Sequence, residues 1–337
     1  MTEAERKRDR ALAAACGRLV TSRPADVRWL LCGRGRPVDS AAPAAGYTVV
    51  LEPNGVALVL YPDIEHPRVQ AEEHLDELGY ELVPYPWHVG HDLEDTPAVL
   101  DTLRLELDEA ERDRYRSAGA DVADAVRLVL PRLRPELSEL DAAAELALEV
   151  RRRGFTTPVV LVAGAERQPV HRHPLPTGTP LGRHALLAVT AERHGLYTSI
   201  TRLVSFGPPP DELARLVQAT AEIDAAYLDA SRPGATLGEA FAAGAEAYAA
   251  QGFPEEWRRH HQGGLTGYRG REVFAVPGET TRIPESAALA WNPSVTGGAK
   301  SEDTILVSAE GLEVVTRTPE LGELATGGAP RPAIVAL

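Results

Sequence analysis

The sequence predicts an α/β (α+β) protein: a small N-terminal α/β domain followed by a larger domain whose helix-and-strand unit is duplicated. Three observations lead to this prediction. Short apolar segments that end on glycine or proline dominate residues 1–102, and an amphipathic helix pattern fills residues 103–133. A 22-residue stretch then recurs at an offset of 98 residues. The chain has 337 residues, which is enough for two cores.

The N-terminal part alternates strand-like segments with one helical pattern. The strand-like segments are rich in apolar, β-branched or aromatic residues. Asn54-Gly55 separates two of them and is a strong signal for a tight hairpin turn. Residues 68–78 have the helical pattern. The three strand-like segments are 27–33, 46–53 and 55–62.

The repeat lies in residues 134–155 and 232–253, which align without a gap. Each copy begins with Arg-Pro and ends with Gly-Phe. Ser138 in the first copy matches Thr236 in the second, and each is followed three positions later by an acidic residue. A hydroxyl and an acid at this spacing form a capping box, which satisfies free amides at a helix start. We therefore expect two related halves, each with two helices followed by strands.

Composition limits the classes of partner. The formal net charge is −14, and such an acidic surface argues against nucleic acid and anionic membranes as partners. The N-terminus is charged rather than uniformly apolar, and no segment has the ~20 apolar residues of a membrane span. The two cysteines, Cys16 and Cys32, form neither a disulfide framework nor a zinc motif. We expect a soluble cytoplasmic protein.

Several ordered motifs resemble the creatinase / aminopeptidase P / prolidase family, which has the pita-bread fold. The first, "SRPADVRWLLCG", resembles the opening strand segment of that family's N-terminal domain. The others resemble D-x-G-x-x-x-x-G-Y-x-x-D-x-T-R, G-H-x-x-G-x-x-x-H-[ED] and E-P-G … R-x-E-D. The resemblance implies a creatinase-like N-terminal domain over 1–102 and a pita-bread domain over 103–337. The last three motifs occupy 186–207, 263–272 and 291–316.

Most metal ligands that the resemblance implies are absent. The family's peptidases hold two metal ions with two aspartates, a histidine and two glutamates. Alanine and glycine offer no side-chain ligand, and one remaining carboxylate cannot neutralise two divalent ions. We therefore expect neither the dinuclear metal centre nor any other cofactor. The five aligned positions hold Ala188, Ser199, Gly264, Asn292 and Glu302.

Other polar residues around these positions are retained. Histidine suits proton transfer at neutral pH, and arginine suits a substrate carboxylate. His171 matches a substrate-contacting histidine of the family by spacing, whereas His173 fits its His-Pro context. Arg271 would bind the carboxylate. The candidate catalytic residues are His260, His261, Glu272 and Glu302, and the candidate substrate-binding residues are His171, His173, Arg271 and Trp87.

Each candidate also has a structural interpretation. His260 and His261 could be a backbone-bonded histidine and a surface histidine. Glu302 could anchor a hydrogen bond inside the fold, and Glu272 could form a salt bridge. The strand geometry that would place His171 and His173 on one face competes with a surface loop.

Three functions remain open. Creatinase, a member of the resembled family, hydrolyses a C–N bond without metal, using histidine as acid and base. A similar enzyme would cleave an amide, amidine or peptide bond in a small carboxylate-bearing molecule or short peptide. The alternative is an inactive pseudoenzyme that binds a peptide or partner. A third possibility is a mononuclear metal site made from His171, His173, His261 and Glu302.

The resemblance also implies a homodimer. Members with this N-terminal domain commonly dimerise, with one subunit's N-terminal domain at the edge of the partner's cleft. Residues 85–97 are polar and contain several Pro and Gly residues, so we expect a loop there. Trp87 and His88 are the candidates for this contact.

Overall fold

The computed structural model describes every residue except residue 41. The chain divides into two compact units. The boundary between them lies after Glu106, four residues beyond the change in sequence pattern. The first unit comprises Met1–Glu106 and His194–Leu196, and the second comprises Leu107–Arg193 and Tyr197–Leu337.

The first unit contains a four-stranded sheet in the order β1-β2-β3-β4. The first three strands pair antiparallel, and β3 pairs parallel with β4. The predicted hairpin at Asn54-Gly55 is confirmed, because the amide of Glu52 donates to the carbonyl of Val56 at 2.8 Å. The elements are α1 Glu3–Ala15, β1 Leu19–Thr21, α2 Pro24–Leu30, β2 Thr48–Leu51, β3 Ala57–Pro62, α3 His66–Arg68 and β4 Glu81–Tyr85.

Two predictions for this unit need correction. The segment 27–33 was expected to be a strand, but most of it belongs to helix α2. Pro24 occupies the start of that helix, where its fixed φ favours helical geometry, and the helix is buried on all sides. Full burial produces a continuous apolar run that resembles a buried strand. The helix expected over 68–78 is broken into short turns, because His74 adopts a left-handed conformation with φ of 46°.

The second unit contains four long helices and a nine-stranded sheet. Its sheet order is β5-β6-β7-β13-β10-β8-β9, with β14 beside β13 and β17 beside β7. The helices are α4 Glu109–Val129, α5 Glu139–Arg152, α6 Asp211–Ala230 and α7 Leu237–Ala250. The strands are β5 Thr156–Gly164, β6 His184–Arg193, β7 Leu196–Ser205, β8 Gly263–Thr266, β9 Val273–Phe274, β10 Ala287–Trp291, β11 Ser294–Val295, β12 Ala299–Lys300, β13 Glu302–Ser308, β14 Gly311–Val314, β15 Glu323–Leu324, β16 Arg331–Pro332 and β17 Val335–Ala336.

The repeat reappears as equivalent helix starts. The side chain of Ser138 caps α5 and that of Thr236 caps α7, each accepting a hydrogen bond of 3.1 Å from the amide three residues later. The next amides, Glu139 and Leu237, each donate at 2.9 Å to a threonine carbonyl on a neighbouring segment. The same cap and the same backbone bond therefore begin the second helix of each half.

The helices cover the sheet and leave its central strands buried. Helix α5 packs on α4 and β5, while α6 packs on α7 and contacts β10 and β12. Every residue of β10 and β13 is buried. Within the described part of the chain, no helix is both long enough and apolar enough to cross a membrane.

Candidate functional site

A cavity of about 520 Å³ lies in the second unit, along strands of its large sheet. Strands β5 and β6 supply an apolar wall, which continues at the end of β9. The polar groups come from segments beside β8, β10 and β13. The apolar wall contains Pro158, Val159, Leu161, Ala188, Val189 and Phe274, and the charged or hydrogen-bonding residues include His173, His261, Arg271, Asn292, Lys300 and Glu302.

Strand β13 delivers Glu302 to the cavity. Its partner in the sheet is Thr201 on β7, whose hydroxyl donates to Glu302 Oε2 at 3.1 Å. Successive side chains of a strand point to opposite faces, so the next residue, Asp303, points away. Asp303 is buried against Arg202 instead.

Arg271 forms an ion pair with Glu302. Arg271 Nη2 lies 3.2 Å from Glu302 Oε1, and both side chains are only 9% exposed. Arg271 Nη1 donates to the carbonyl of Gly270 at 2.6 Å. Its Nε is buried and has no hydrogen-bond partner in the described structure. Two nitrogens of the guanidinium are therefore already hydrogen-bonded within the protein. The ion pair also supports the interpretation that Glu302 has a structural role inside the fold.

Lys300 lines the cavity, although it was not among the residues predicted from the sequence. Its side chain is 5% exposed and lines the cavity two residues before Glu302. Burial is the main cause that lowers the pKa of Lys300; nearby Arg271 lowers it further, and Glu302 opposes the shift. A signal was present, because Lys300 is one of only two lysines, the other being Lys7. Its position in "GGAKSEDT" also corresponds to the arginine of the R-x-E-D motif.

Three of the predicted histidines form a cluster. The ring centroid of His173 lies 5.5 Å from that of His260 and 6.1 Å from that of His261. The rings of His260 and His261 are 5.8 Å apart. His261 also makes an edge contact of 5.0 Å with Phe274. These residues come from two segments far apart in sequence.

The turn that carries His260 and His261 is held by Gln262. Its amide nitrogen donates to the carbonyls of Trp257 and His260, and its amide oxygen accepts from the hydroxyl of Tyr248 at 2.9 Å. Strand β8 follows immediately. This buried anchor orients the two histidines relative to the sheet.

The structure separates the two histidines by their hydrogen bonds. His260 bonds through Nε2 to the hydroxyl of Ser294 at 2.6 Å and through Nδ1 to the carbonyl of His261. Neither ring nitrogen of His261 has a hydrogen-bond partner among the described residues, and the ring lines the cavity. The geometry therefore favours His261 over His260 for proton transfer.

All three imidazoles are held in the neutral form at pH 7. Burial lowers the pKa of His260 to about 2 and also lowers the pKa of His173. His261 remains exposed to solvent through the cavity, yet its pKa falls to about 4. Loss of surrounding water is the main cause, and the positive charges of Arg271 and Lys300 add to it.

Other candidates lie outside this cavity. Glu272 Oε1 accepts from the amide of Tyr268 at 3.0 Å and does not belong to the cavity lining. His171 lines a neighbouring cavity of about 380 Å³, which shares Lys300 with the first. Trp87 lies in the first unit, where its side chain is 63% exposed. The structure thus favours His173 over His171 as the histidine beside the site.

The residues present do not fit a dinuclear metal centre. A Cβ built on Gly264 would overlap the carbonyl of Val273, so even a histidine could not be accommodated without moving the strand. Ala188 contributes only a methyl group, and the hydroxyl of Ser199 is bonded to Thr190 at 2.9 Å. The surviving Glu302 carboxylate is paired with an arginine.

The mononuclear alternative also lacks a ligand set. Across residues 1–40 and 42–337, no three His, Cys, Asp or Glu side chains are grouped so as to hold a metal ion. His171 faces a different cavity from His173 and His261. The described side chains therefore provide fixed cations and neutral imidazoles rather than a metal shell.

Comparison with known proteins gives a family match. Residues 113–309 match the model of metallopeptidase family M24. An uncharacterized peptidase, YqhT of Bacillus subtilis (strain 168), is 26% identical over 233 residues, which cover 66% of this chain and 65% of YqhT. The probable dipeptidase PepE of Mycobacterium tuberculosis (strain ATCC 25618 / H37Rv) is 26% identical over 231 residues, or 66% of this chain and 61% of PepE. The matched region thus spans less than two thirds of either relative.

Solved structures share the fold over nearly the whole chain. Dipeptidase PepE from Mycobacterium ulcerans has a TM-score of 0.76 at 21% identity, covering 99% of this chain and 98% of that one. The Xaa-Pro dipeptidase from Bacillus anthracis has a TM-score of 0.78 at 18% identity, with 99% and 100% covered. The N-terminal domain of FACT complex subunit SPT16 from Cicer arietinum (chickpea) has a TM-score of 0.62 at 11% identity and 93% coverage of both chains. These likenesses support the predicted pita-bread fold.

Proposed function

This chain belongs to metallopeptidase family M24, and on that premise we propose that it is a hydrolase that works without the family's metal pair. Its reaction is cleavage of a C–N bond, in an amide, amidine or peptide, within a small carboxylate-bearing substrate. The peptidase and dipeptidase names of its relatives support the reaction class. The poor fit of its residues to a metal centre supports the metal-free form.

The observation that carries this proposal is the position of His261. Its neutral ring faces the cavity beside two cationic side chains. A neutral imidazole can accept a proton at pH 7. A pKa near 4 makes a weak base, but a bound carboxylate would offset the repulsion from Arg271 and Lys300. Substrate binding would therefore raise the pKa of His261 towards the range that suits general base catalysis.

The reaction then balances with water as the only co-reactant. His261 accepts a proton from water while the water oxygen bonds to the carbonyl or amidine carbon. The tetrahedral intermediate collapses, the C–N bond breaks, and the imidazolium returns its proton to the leaving nitrogen. His260, with both ring nitrogens bonded, positions the His261 backbone and is not required to transfer a proton.

A substrate screen with two variants tests the proposal. Dipeptides, including Xaa-Pro dipeptides, and small guanidino acids are incubated with protein dialysed against EDTA, and released amine is measured. We expect turnover, a loss of about 10²-fold or more in kcat for His261→Ala, and a smaller loss for His260→Ala. Equal activity of His261→Ala and the unmodified protein on a cleaved substrate would refute the assignment of His261.

A binding module is the second candidate, and specific observations favour it. The Arg271–Glu302 pair leaves Glu302 little freedom to act in chemistry, and the cavity wall is largely apolar. The same fold also occurs in a protein described as a complex subunit. In that case, a peptide or small molecule binds in the cavity and is recovered unchanged.

We also propose the homodimer that the resemblance implies, with Trp87 in its interface. The support is the high exposure of this large aromatic side chain, which ordinarily favours burial. Sedimentation analysis tests it: Trp87→Ala should shift the population towards monomer. A fully dimeric Trp87→Ala protein would exclude Trp87 as an interface residue.

A further inference from the structure

We propose that Lys300 is the carboxylate-recognition residue of the cavity, and that with Arg271 it selects small apolar monocarboxylates. This inference rests on the proposed function only in taking the cavity as the substrate site. Beyond the proposed reaction, it assigns Lys300 a role in binding and names the class of ligand that its positive charge would recognise. The side-chain cations would provide positive charge in a cleft where the family's peptidases use metal ions.

The first support is that the Lys300 ammonium has no partner. The side chain is 95% removed from solvent, yet in the described structure no carboxylate lies within 4.0 Å of Nζ and no hydrogen bond uses it. An unpaired buried charge is unfavourable. The other lysine, Lys7, is also buried but pairs with Glu3 at 2.7 Å. An anionic ligand would supply the counter-charge that Lys300 lacks.

The second support is the charge balance of the lining. A bound carboxylate favours the protonated form of Lys300, and in that form Arg271 and Lys300 contribute two positive charges and Glu302 one negative charge, so the charged lining residues sum to +1. The neighbouring histidines are neutral. This local excess occurs in a chain with a formal net charge of −14. A monoanion would neutralise the cavity, whereas an amine would meet an uncompensated cation.

The third support is the shape and polarity of the remaining wall. Pro158, Val159, Leu161 and Phe274 line the apolar side. Ala188 extends this surface at a position where the family has an aspartate. A cavity of about 520 Å³ accommodates a small branched or aromatic group. The ligand class is therefore a carboxylate that carries a compact apolar group.

Three probes of equal shape test the charge selectivity. Isothermal titration calorimetry compares 3-methylbutanoate, 3-methylbutylamine and 3-methyl-1-butanol at pH 7. We expect the carboxylate to bind at least tenfold more tightly than the amine or the alcohol. Equal affinity for all three would overturn the proposal.

Variants at position 300 test the residue. Lys300→Met should weaken carboxylate binding at least tenfold, and Lys300→Arg should restore most of it because the charge returns. Arg258→Met is the matched control, since it removes a surface cation paired with Glu255 and should leave binding unchanged. Undiminished carboxylate binding by Lys300→Met would overturn the proposal.

The stability of the ligand-free protein separates recognition from a structural role. Because Nζ has no partner to lose, Lys300→Met should keep or raise the Tm while losing the Tm increase that the carboxylate causes. A lower Tm together with an undiminished ligand shift would identify a structural lysine instead. Asn292→Asp provides a second variant, since it adds a negative charge to the lining of the same cavity while Lys300 stays intact, and it should also weaken carboxylate binding.

Binding requires no turnover, so the two proposals can fail separately. Selective carboxylate binding without hydrolysis of any substrate would contradict the proposed reaction and leave the role of Lys300 in carboxylate binding intact. Hydrolysis with the same KM for the unmodified protein and Lys300→Met would contradict the role of Lys300 and leave the proposed reaction intact.

Discussion

Glu302 and Asp303 are neighbours on one strand, yet they belong to two contrasting ionic clusters. Asp303 lies in a buried network in which Arg202 donates to it at 2.9 Å and Arg331 at 2.8 Å. Arg331 also pairs with Asp224. This network has two cations and two anions. The cavity cluster on the other face has two cations and one anion.

The difference in charge pairing distinguishes a cluster that stabilises the fold from a cluster that can bind a ligand. In the buried network each charge has a counter-charge, and the pairs join α6, β7, β13 and β16. Such a network holds the strands and α6 together, although one oxygen, Asp224 Oδ1, has no hydrogen-bond partner in the described structure. In the cavity, the Lys300 ammonium, the ring nitrogens of His261 and Arg271 Nε have no hydrogen-bond or ion-pair partner in the described structure. A ligand site in a cavity needs polar groups that the protein leaves without hydrogen-bond or ion-pair partners, because the ligand can then bind them.

We expect the largest loss of stability from a substitution that disrupts the buried ionic network. Arg331→Met leaves Asp224 and Asp303 buried with reduced compensation, so we expect a loss of ~3–5 kcal/mol in the free energy of unfolding. Urea denaturation measures it. Arg317→Met, which removes an arginine paired with Glu323 and more than half exposed, should cost less than ~1 kcal/mol. Similar losses for both variants would mean that the buried network contributes no more to stability than an exposed ion pair.

The next effect concerns the lost metal-ligand position. Gly264 has φ of 141° and faces the Val273 carbonyl, so Gly264→Ala should destabilise the protein by roughly 1–3 kcal/mol. Gly178→Ala is the control, because a Cβ at that position meets nothing within 4 Å. Restoring histidine at 264 should therefore lower stability without creating metal binding. A stable Gly264→His protein with stoichiometric Zn²⁺ would contradict this.

A smaller effect should appear in the pH dependence of stability. The pKa of His261 is lowered in the folded state to about 4, while the unfolded value is ~6.5. Between these values the unfolded chain binds the extra proton, so the stability contributed by neutral His261 is complete above ~6.5 and declines as pH falls towards 4. Solvent in the cavity screens this effect.

Urea titrations between pH 4 and 7 test the sign. Replacing His261 with Gln should flatten the dependence by less than ~1.4 kcal/mol per pH unit. His88→Gln, a change at a histidine in the first unit, is the control. A steeper dependence in His261→Gln would contradict the lowered pKa.

Motif order and the repeat were readable from the sequence because they depend on local residue types. The capping residues Ser138 and Thr236 mark the starts of α5 and α7 directly in the sequence. At the metal-ligand positions that the resemblance implies, the sequence also shows directly that Ala188 and Gly264 have no side-chain donor atoms. In contrast, the helix at Pro24–Leu30 was mistaken for a strand, because complete burial removes the amphipathic period.

The pairing of side chains was not readable from the sequence. Nothing in the motifs showed that Arg271 would bind Glu302, or that His260 would use both ring nitrogens inside the protein. Those contacts depend on how distant segments meet. For Lys300, the motif position and the scarcity of lysine were visible in the sequence, but the absence of a partner for its ammonium depends on the fold.

The proposed reaction in the cavity needs no metal pair. The most direct measurement is kcat/KM on a substrate identified in the screen, after dialysis against EDTA and again with added Mn²⁺, Co²⁺ or Zn²⁺. We expect the same kcat/KM in every case. Activity that vanishes in EDTA and returns with stoichiometric metal would contradict it.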